Sequence, residues 1–474
     1  MPDSMQRFID FEAEMPEKRD ANMRRDDFGE IYSNYKTETA AVQSSRCEQC
    51  GIPYCQIHCP LQNNIPDWLR LNAEGRIQEA YEISQATNTF PEICGRICPQ
   101  DRLCEGSCVL EQSKHGTITI GAIEKYITDT AWDKGWVKGP NPQKEREQSI
   151  GIIGAGPAGL AAADNLRRLG YTVHIYDRHD RAGGLLIYGI PNFKLEKHIV
   201  TRRTKLLSDS GITFHQDFEV GRDATLAELR EKHACILIAT GVYKARELSA
   251  PGSGLGGIHP ALDYLIASNR TGLGDTVEAF ENGTLNASGK NVVVIGGGDT
   301  AMDCVRTAVR QGAKSVKCLY RRDRRNMPGS MREVSNAEEE GVEFIWRAAP
   351  EAFLGDKSVT AVRAHKMQLG PPGQSGRQFP EPVDDSSFTL DSDLVIKALG
   401  FEAEDLPALF GEKNLPTTEG GTLEVDPVTR MSAMPGIFAA GDIVRGASLV
   451  VWGILDGRDA ADAMHNFIQA GSGE

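Results

Sequence analysis

The hydrophobic positions along this chain change rhythm near residue 149. Between residues 67 and 84, Trp68, Leu69, Leu71, Ile77, Ala80, Tyr81 and Ile83 recur at three-to-four-residue intervals. That spacing predicts one amphipathic helix, and a second is expected over 118–131. Residues 138–148, KGPNPQKEREQ, are polar and contain prolines, as a linker would. Beyond them, short β-branched runs alternate with helical segments, the pattern of a doubly wound α/β architecture. SIGIIG, TVHIYD and ACILIATG form one set of strands; NVVVIGGG, SVKCLY and DLVIKALG form another. A last strand, GIFAAGD, precedes a helix expected over 450–468. Residues 1–45 are charge-mixed with scattered Phe8, Phe11, Phe28, Tyr32 and Tyr35, and read either as a surface arm or as a partner-docking segment.

Composition narrows the class. At 474 residues the chain exceeds what one hydrophobic core supports, so it is modular. A net charge of -14 excludes nucleic acid as a partner, because neutralising a phosphate backbone needs a basic surface. The first twenty residues carry no basic region followed by an apolar run, and no stretch approaches a membrane span. No membrane association and a cytoplasmic location are therefore expected. In that compartment eleven cysteines point to metal or redox chemistry rather than disulfides.

Two glycine patterns carry a nucleotide prediction. Gly154, Gly156 and Gly159 fall between a strand and a helix as G-x-G-x-x-G, and Asp177 ends the next strand. In such a fingerprint the backbone approaches a pyrophosphate at a helix N-terminus, and the acid meets ribose hydroxyls. The ligand could be FAD or NAD; the later Gly183–Gly184 pair and the GIFAAGD segment favour FAD. The second fingerprint is Gly296, Gly298 and Ala301, with Asp299 and Thr300 opening its helix. Where an NAD site would place an acid, this chain has Arg321 and Arg322, which suit the 2′-phosphate of NADPH. Because Arg324 and Arg325 follow closely, the alternative is a solvated basic turn. Tandem fingerprints imply hydride transfer between two bound rings, which needs orientation and excluded water rather than a catalytic acid or base. No catalytic residue is therefore nominated.

The expected fold is α/β, with a helical N-terminal iron-sulfur domain followed by two Rossmann-like dinucleotide-binding domains. The boundaries would be 1–140 for the helical domain, 146–280 with 425–474 for a discontinuous FAD domain, and 281–424 for the NADPH domain. The expected FAD contacts are Gly154, Ala155, Gly156, Pro157, Ala158, Gly159, Asp177, Gly184, Leu185, Gly441 and Asp442. Those for NADPH are Gly296, Gly298, Asp299, Thr300, Ala301, Arg321 and Arg322.

The iron-sulfur expectation comes from Cys47, Cys50, Cys55 and Cys59, then Cys94, Cys98, Cys104 and Cys108. Eight thiols are what two 4Fe-4S clusters require, and proline follows both Cys59 and Cys98, as it follows a ligand in the bacterial ferredoxin run. In that run the fourth cysteine serves the other cluster. The same crossing would group Cys47, Cys50 and Cys55 with Cys108, and Cys59 with Cys94, Cys98 and Cys104. Four residues rather than two separate Cys50 from Cys55, a departure that puts a ferredoxin fold in doubt. Two four-cysteine zinc sites are the alternative, but zinc is redox-inert and would leave a flavoprotein without an electron exit. No redox-active C-x-x-C follows either glycine motif, and Cys235, Cys304 and Cys318 read as small core residues.

In combination, CEQCGIPYC, CPLQNNIPDWL, CGRICPQDRLCEGSC, GGLLIYGIP followed by FKL, and VVVIGGGDTAMDC closely resemble the small (beta) subunits of bacterial NADPH-dependent glutamate synthase. The resemblance runs from about residue 28 to the C-terminus. It implies FAD, with Asp442 holding the ribityl chain, two 4Fe-4S clusters, and a large (alpha) partner subunit carrying FMN and a further iron-sulfur cluster. The overall reaction makes two glutamates from glutamine and 2-oxoglutarate. This chain would supply only the electrons: the glutaminase step uses an N-terminal cysteine, and here Pro2 and Asp3 follow Met1. The same module occurs in dihydropyrimidine dehydrogenase and in electron-bifurcating NADPH:ferredoxin oxidoreductases, which offer a second enzyme alternative. A zinc-stapled nucleotide-sensing adaptor is the non-enzyme alternative.

Overall fold

The computed structural model describes residues 6–372 and 378–472. The N-terminal unit is helical, built around Ile65–Ala73, Ile77–Thr87, Pro91–Ile97 and Ile120–Asp133. The single helix expected over 67–84 is therefore two. Gly75 sits at φ +76, a left-handed conformation that closes the first helix through its N–H to the Asn72 carbonyl. Trp68, Leu69, Ala80, Tyr81, Ile123 and Ile127 make the core of this unit.

The segment before it is a strap, not a free arm. Arg46 is fully buried, and its guanidinium donates to the carbonyls of Phe11, His115, Gly116 and Thr117 at 2.8–3.0 Å. Arg24, also fully buried, reaches Glu339 at 2.5 Å and Glu340 at 3.1 Å, more than 300 residues away. These faces are spent inside the molecule, which argues for an internal brace over a docking segment.

Two five-stranded parallel sheets follow. The first has the order Ile437–Ala439, Cys235–Ile238, Ser149–Ile153, Thr172–Tyr176, Thr213–His215. The second has the order Ile258–Pro260, Leu394–Lys397, Asn291–Ile295, Ser315–Tyr320, Glu343–Trp346. Their central strands are buried nearly end to end, as parallel strands covered by helices on both faces must be. Strand Ile258–Pro260 pairs with Leu394–Lys397, and helix Ala261–Gly272 contributes Ala261, Tyr264 and Leu265 to the second core. The second unit thus begins near 258 rather than at 281. Leu406, Phe410, Leu415 and Leu423 pack with Ile153, Ile236 and Ile437 of the first sheet, so the chain has returned there before 425. An antiparallel layer absent from the expectation, Ala348–Gly355 with Val359–Pro372 and Phe388–Asp391, covers the second sheet. The closing helix, Val450–Ser472, lies along helix Pro157–Arg168 and extends beyond its expected end.

Candidate active site

At the first fingerprint, strand Ser149–Ile153 turns at Gly154 into helix Pro157–Arg168. Gly154 has φ +109, and a Cβ there would stand 2.4 Å from the Ala239 carbonyl oxygen, so only glycine fits this turn. A Cβ on Gly156 would meet nothing within 4 Å, so the backbone is bare where a pyrophosphate would approach. Asp177 Oδ2 accepts the Ala155 N–H at 2.6 Å and Oδ1 accepts the His179 N–H at 2.8 Å. The acid expected on a ribose therefore also fastens the glycine turn. The Gly183 N–H donates to the Ala155 carbonyl at 2.9 Å, which draws the second glycine pair against the first.

One cavity of about 230 Å³ brings together Gly154, Gly156, Pro157, Ala158, Asp177, Gly184, Leu185, Gly441 and Asp442. Burial raises the Asp442 carboxyl, against a hydrogen bond from the Ser448 hydroxyl at 2.5 Å. Ala155 and Gly159 stand behind the turn, Ala155 with its side chain in the core. In an adjoining cavity that shares Asp177 and Tyr243 with this one, Arg178 is paired bidentately with Glu404 at 2.9 Å and lies over the Tyr243 ring. Sequence reasoning missed that pair; its members are 226 residues apart and neither belongs to a motif.

Lys197 is a second residue without a sequence signal. Its buried ammonium donates to the carbonyls of Leu186, at 3.0 Å, and Ile190, both of the segment walling this cavity. Burial lowers it from the usual 10.5 to about 7. Between those values the unfolded chain holds the proton and the folded chain does not, so this group makes stability rise with pH from about 7 toward 10.5. Thermal midpoints measured across that window should lose this component in Lys197→Met; an unchanged pH slope would refute it.

At the second fingerprint, strand Asn291–Ile295 leads into helix Asp299–Arg310, with Ala301 fully buried against the sheet and Gly298 again bare. Arg321 is exposed, whereas Arg322 is only 6% exposed and its Nε has no hydrogen-bond partner. A buried donor left unpaired is costly, and an anion would satisfy it. Arg324 is already held by Glu338 at 2.5 Å. Lys194, from the FKL run of the first unit, is half-buried between Asp303 at 2.9 Å and Glu333 at 3.8 Å on the second. Burial alone would lower this ammonium, but the two carboxylates outweigh it and hold it raised. Burial pushes Asp303 up to about 6 even so, while Glu333, which also has Arg306 at 2.6 Å, falls to about 2. Arg306 rather than Lys194 accounts for that difference between the carboxylates.

The eight N-terminal cysteines are all free thiols. Cys47, Cys50, Cys55 and Cys108 line one small cavity. Cys94 and Cys104 lie near enough to act on Cys98, and Cys94 near enough to act on Cys59, while the Cys94 thiol donates to Asn88 Oδ1. Cys59 and Cys55 both lie near enough to act on Cys104, so the two sets of thiols adjoin. Among the described residues no three His, Cys, Asp or Glu side chains close around a point for a single ion. Burial pushes the thiols of Cys47, Cys55 and Cys59 up to about 12. A bound metal cation would displace those protons.

Glu124 was not foreseen. Burial pushes its carboxyl up to about 8, and it accepts from Asn63 at 2.9 Å and Asn88 at 3.1 Å beside the second cysteine group. Its signal was positional: it falls between Ile120 and Ile127 on the inner face of its helix. His58 is exposed, with a ring nitrogen 2.9 Å from the Tyr54 carbonyl. Cys235, Cys304 and Cys318 are core residues, as expected.

The three sites meet. A cavity of about 250 Å³ is lined by Cys98 of the cysteine unit, Asp299 and Thr300 of the second fingerprint, and Ile190, Leu449 and Val450, which also wall the cavity at the first fingerprint.

Two parallel-sheet nucleotide units joined to a cysteine-rich helical unit define a class. Residues 148–459 match the pyridine nucleotide-disulphide oxidoreductase family, and residues 24–136 match dihydropyrimidine dehydrogenase domain II, 4Fe-4S cluster. The protein is accordingly an NADPH-type flavin oxidoreductase with a 4Fe-4S domain. More particularly, the chain belongs to the family of glutamate synthase [NADPH] small chains. It is 66% identical to that of Azospirillum brasilense over 98% of this chain and 96% of the relative. With that of Escherichia coli K12 it shares 44% identity over 99% of this chain and 100% of the relative. Among solved structures, Mycobacterium tuberculosis FprA in complex with NADPH superposes with a TM-score of 0.59 at 20% identity, covering 69% of this chain and 86% of FprA. That likeness concerns the fold.

Proposed function

We propose that this chain is the electron-input subunit of a glutamate synthase, taking a hydride from NADPH and exporting single electrons through two 4Fe-4S clusters. Bound FAD would supply the step from hydride to single electrons. Around it, the chain's own residues orient and exclude. The bare backbone at Gly156 and Gly298 admits each pyrophosphate, Lys194 ties the two nucleotide units together, and Leu449 and Val450 close the flavin wall. Cys59, Cys94, Cys98 and Cys104 would hold the cluster nearer the flavin; Cys47, Cys50, Cys55 and Cys108 would hold the outer one. The observation that carries this reading is the shared cavity, which sets Cys98, the second fingerprint and the flavin wall around one space.

The exit is supported by surface chemistry. Ile52, Tyr54 and Ile57 are 61%, 46% and 56% exposed on the segment joining Cys50 to Cys59, an apolar rim at the outer cysteine group. A large subunit carrying FMN and a further cluster would dock there and make glutamate from glutamine and 2-oxoglutarate. No described helix is long and apolar enough to cross a membrane, and the cytoplasm is the proposed location.

Anaerobically purified protein should contain about eight irons and eight acid-labile sulfides per chain, as two 4Fe-4S clusters require. Titration with NADPH should bleach the flavin, and reduced clusters should appear by electron paramagnetic resonance once the large subunit is present. Zinc in place of iron, or flavin that stays oxidised, would overturn the proposal.

A further inference from the structure

The loop between two cluster cysteines reaches across the molecule to the second fingerprint. Residues Gln100–Arg102 form a single turn between Cys98 and Cys104. From it the Asp101 carboxylate accepts the Ser330 hydroxyl at 3.1 and 3.2 Å and the Met331 N–H at 3.2 Å. Met331 opens helix Met331–Glu339, whose N-cap residue Ser330 makes no side-chain cap. One of the helix's orphan donors is therefore met by a carboxylate 230 residues away, which also sits at the positive end of the helix dipole. Neighbouring contacts brace the same junction. Arg102 donates to the Pro328 carbonyl, and Arg332 donates to Gln100 at 3.2 Å and to Glu105 at 2.7 Å.

The far side of this turn meets the second fingerprint. The Gly329 N–H donates to the Gly297 carbonyl at 3.0 Å, and the Ser330 N–H donates to Asp299 Oδ1 at 3.0 Å. Asp299 is the first residue of helix Asp299–Arg310, where unpaired N–H groups would receive the pyrophosphate. A free carboxylate at that position would compete for those donors and repel the phosphates. The Ser330 N–H holds it aside.

We propose that Asp101 is a positioning residue for the nicotinamide nucleotide: by fixing Ser330 it keeps the Asp299 carboxylate tethered and clear of the fingerprint's N–H groups. This rests on the assignment of the second fingerprint to NADPH. It makes a contact from the cluster loop part of nucleotide affinity. Because it acts at the pyrophosphate, it affects NADPH and NADH alike.

The test uses the full chain with its flavin and clusters, reading NADP⁺ affinity by titration and flavin reduction by stopped flow. Asp101→Ala should weaken NADP⁺ about tenfold, the scale of a lost charge-assisted contact, and leave the limiting rate of flavin reduction and the iron content unchanged. Asp101→Asn, whose amide oxygen still accepts from both donors, should regain most of the affinity. Ser330→Ala lies outside the cysteine unit and should shift affinity in the same direction by a smaller factor, so the proposal stays testable if Asp101→Ala loses iron. In the Asp299→Ala background the Asp101 effect should vanish. Unchanged affinity in both Asp101→Ala and Ser330→Ala, or effects of Asp101→Ala and Asp299→Ala that simply multiply, would overturn the proposal. A failure of the NADPH assignment would register separately, as unaltered NADPH affinity when Arg321 and Arg322 are replaced.

Discussion

Replacing Cys98 with serine is expected to stop electron export while leaving the hydride half-reaction intact. Cys98 is the cysteine that lines the cavity shared with the flavin wall and the second fingerprint. Neighbouring Cys94 and burial hold its thiol raised, and a bound iron would displace the proton. A serine hydroxyl is far less acidic and would not replace the thiol. The variant should lose about half its iron, the share of one cluster in two. NADPH should still bleach the flavin in a stopped-flow trace, but reoxidation by the large subunit should fail. Cys235→Ala, a core change in strand Cys235–Ile238 outside both cysteine groups, should leave iron and turnover as they were. Full iron content or undiminished transfer in Cys98→Ser would remove the inner cluster from the proposed route.

The contrast between Cys98 and Cys235 also shows what the sequence could say. Metal-ligand chemistry writes itself as density and spacing, so the eight clustered thiols stood apart from three isolated ones before any fold was known. Parallel strands were equally legible: buried on both faces, runs such as Asn291–Ile295 and Leu394–Lys397 need no alternation to be recognised. The antiparallel layer was not. Register shifts at Pro350/Ala352 and Leu354/Gly355 break the two-residue period on which such strands are read. Strand Ile258–Pro260 has only three residues, and the apolar face of the helix after it does not state which sheet it covers. Contacts between distant segments left no local trace at all. Arg24 meets Glu339 at a separation of 315, Arg178 meets Glu404 at 226, and Asp101 meets Met331 at 230. Arg24, Arg178 and Asp101 are ordinary charged residues in their own neighbourhoods, and only the fold brings them to these partners.

Arg321 and Arg322 lie between these cases, since their place after the second strand was legible and their unequal burial was not. Replacing both with alanine should lower the ratio of kcat/KM for NADPH over NADH by roughly a hundredfold, because hydrogen bonds between charged groups contribute about 1.5–3 kcal/mol each. The two should not contribute equally. Arg321 is exposed, where water and salt screen its attraction for a phosphate. Arg322 is buried with its Nε unpartnered, so a 2′-phosphate would satisfy a donor that otherwise goes unmet. Arg322→Ala alone should therefore account for most of the change, and raising ionic strength should erode the Arg321 share first. NADH, lacking the phosphate, should be nearly indifferent to either. If both nucleotides weaken together, the arginines hold the loop and not the phosphate, and the preference for NADPH must be sought elsewhere in the second unit.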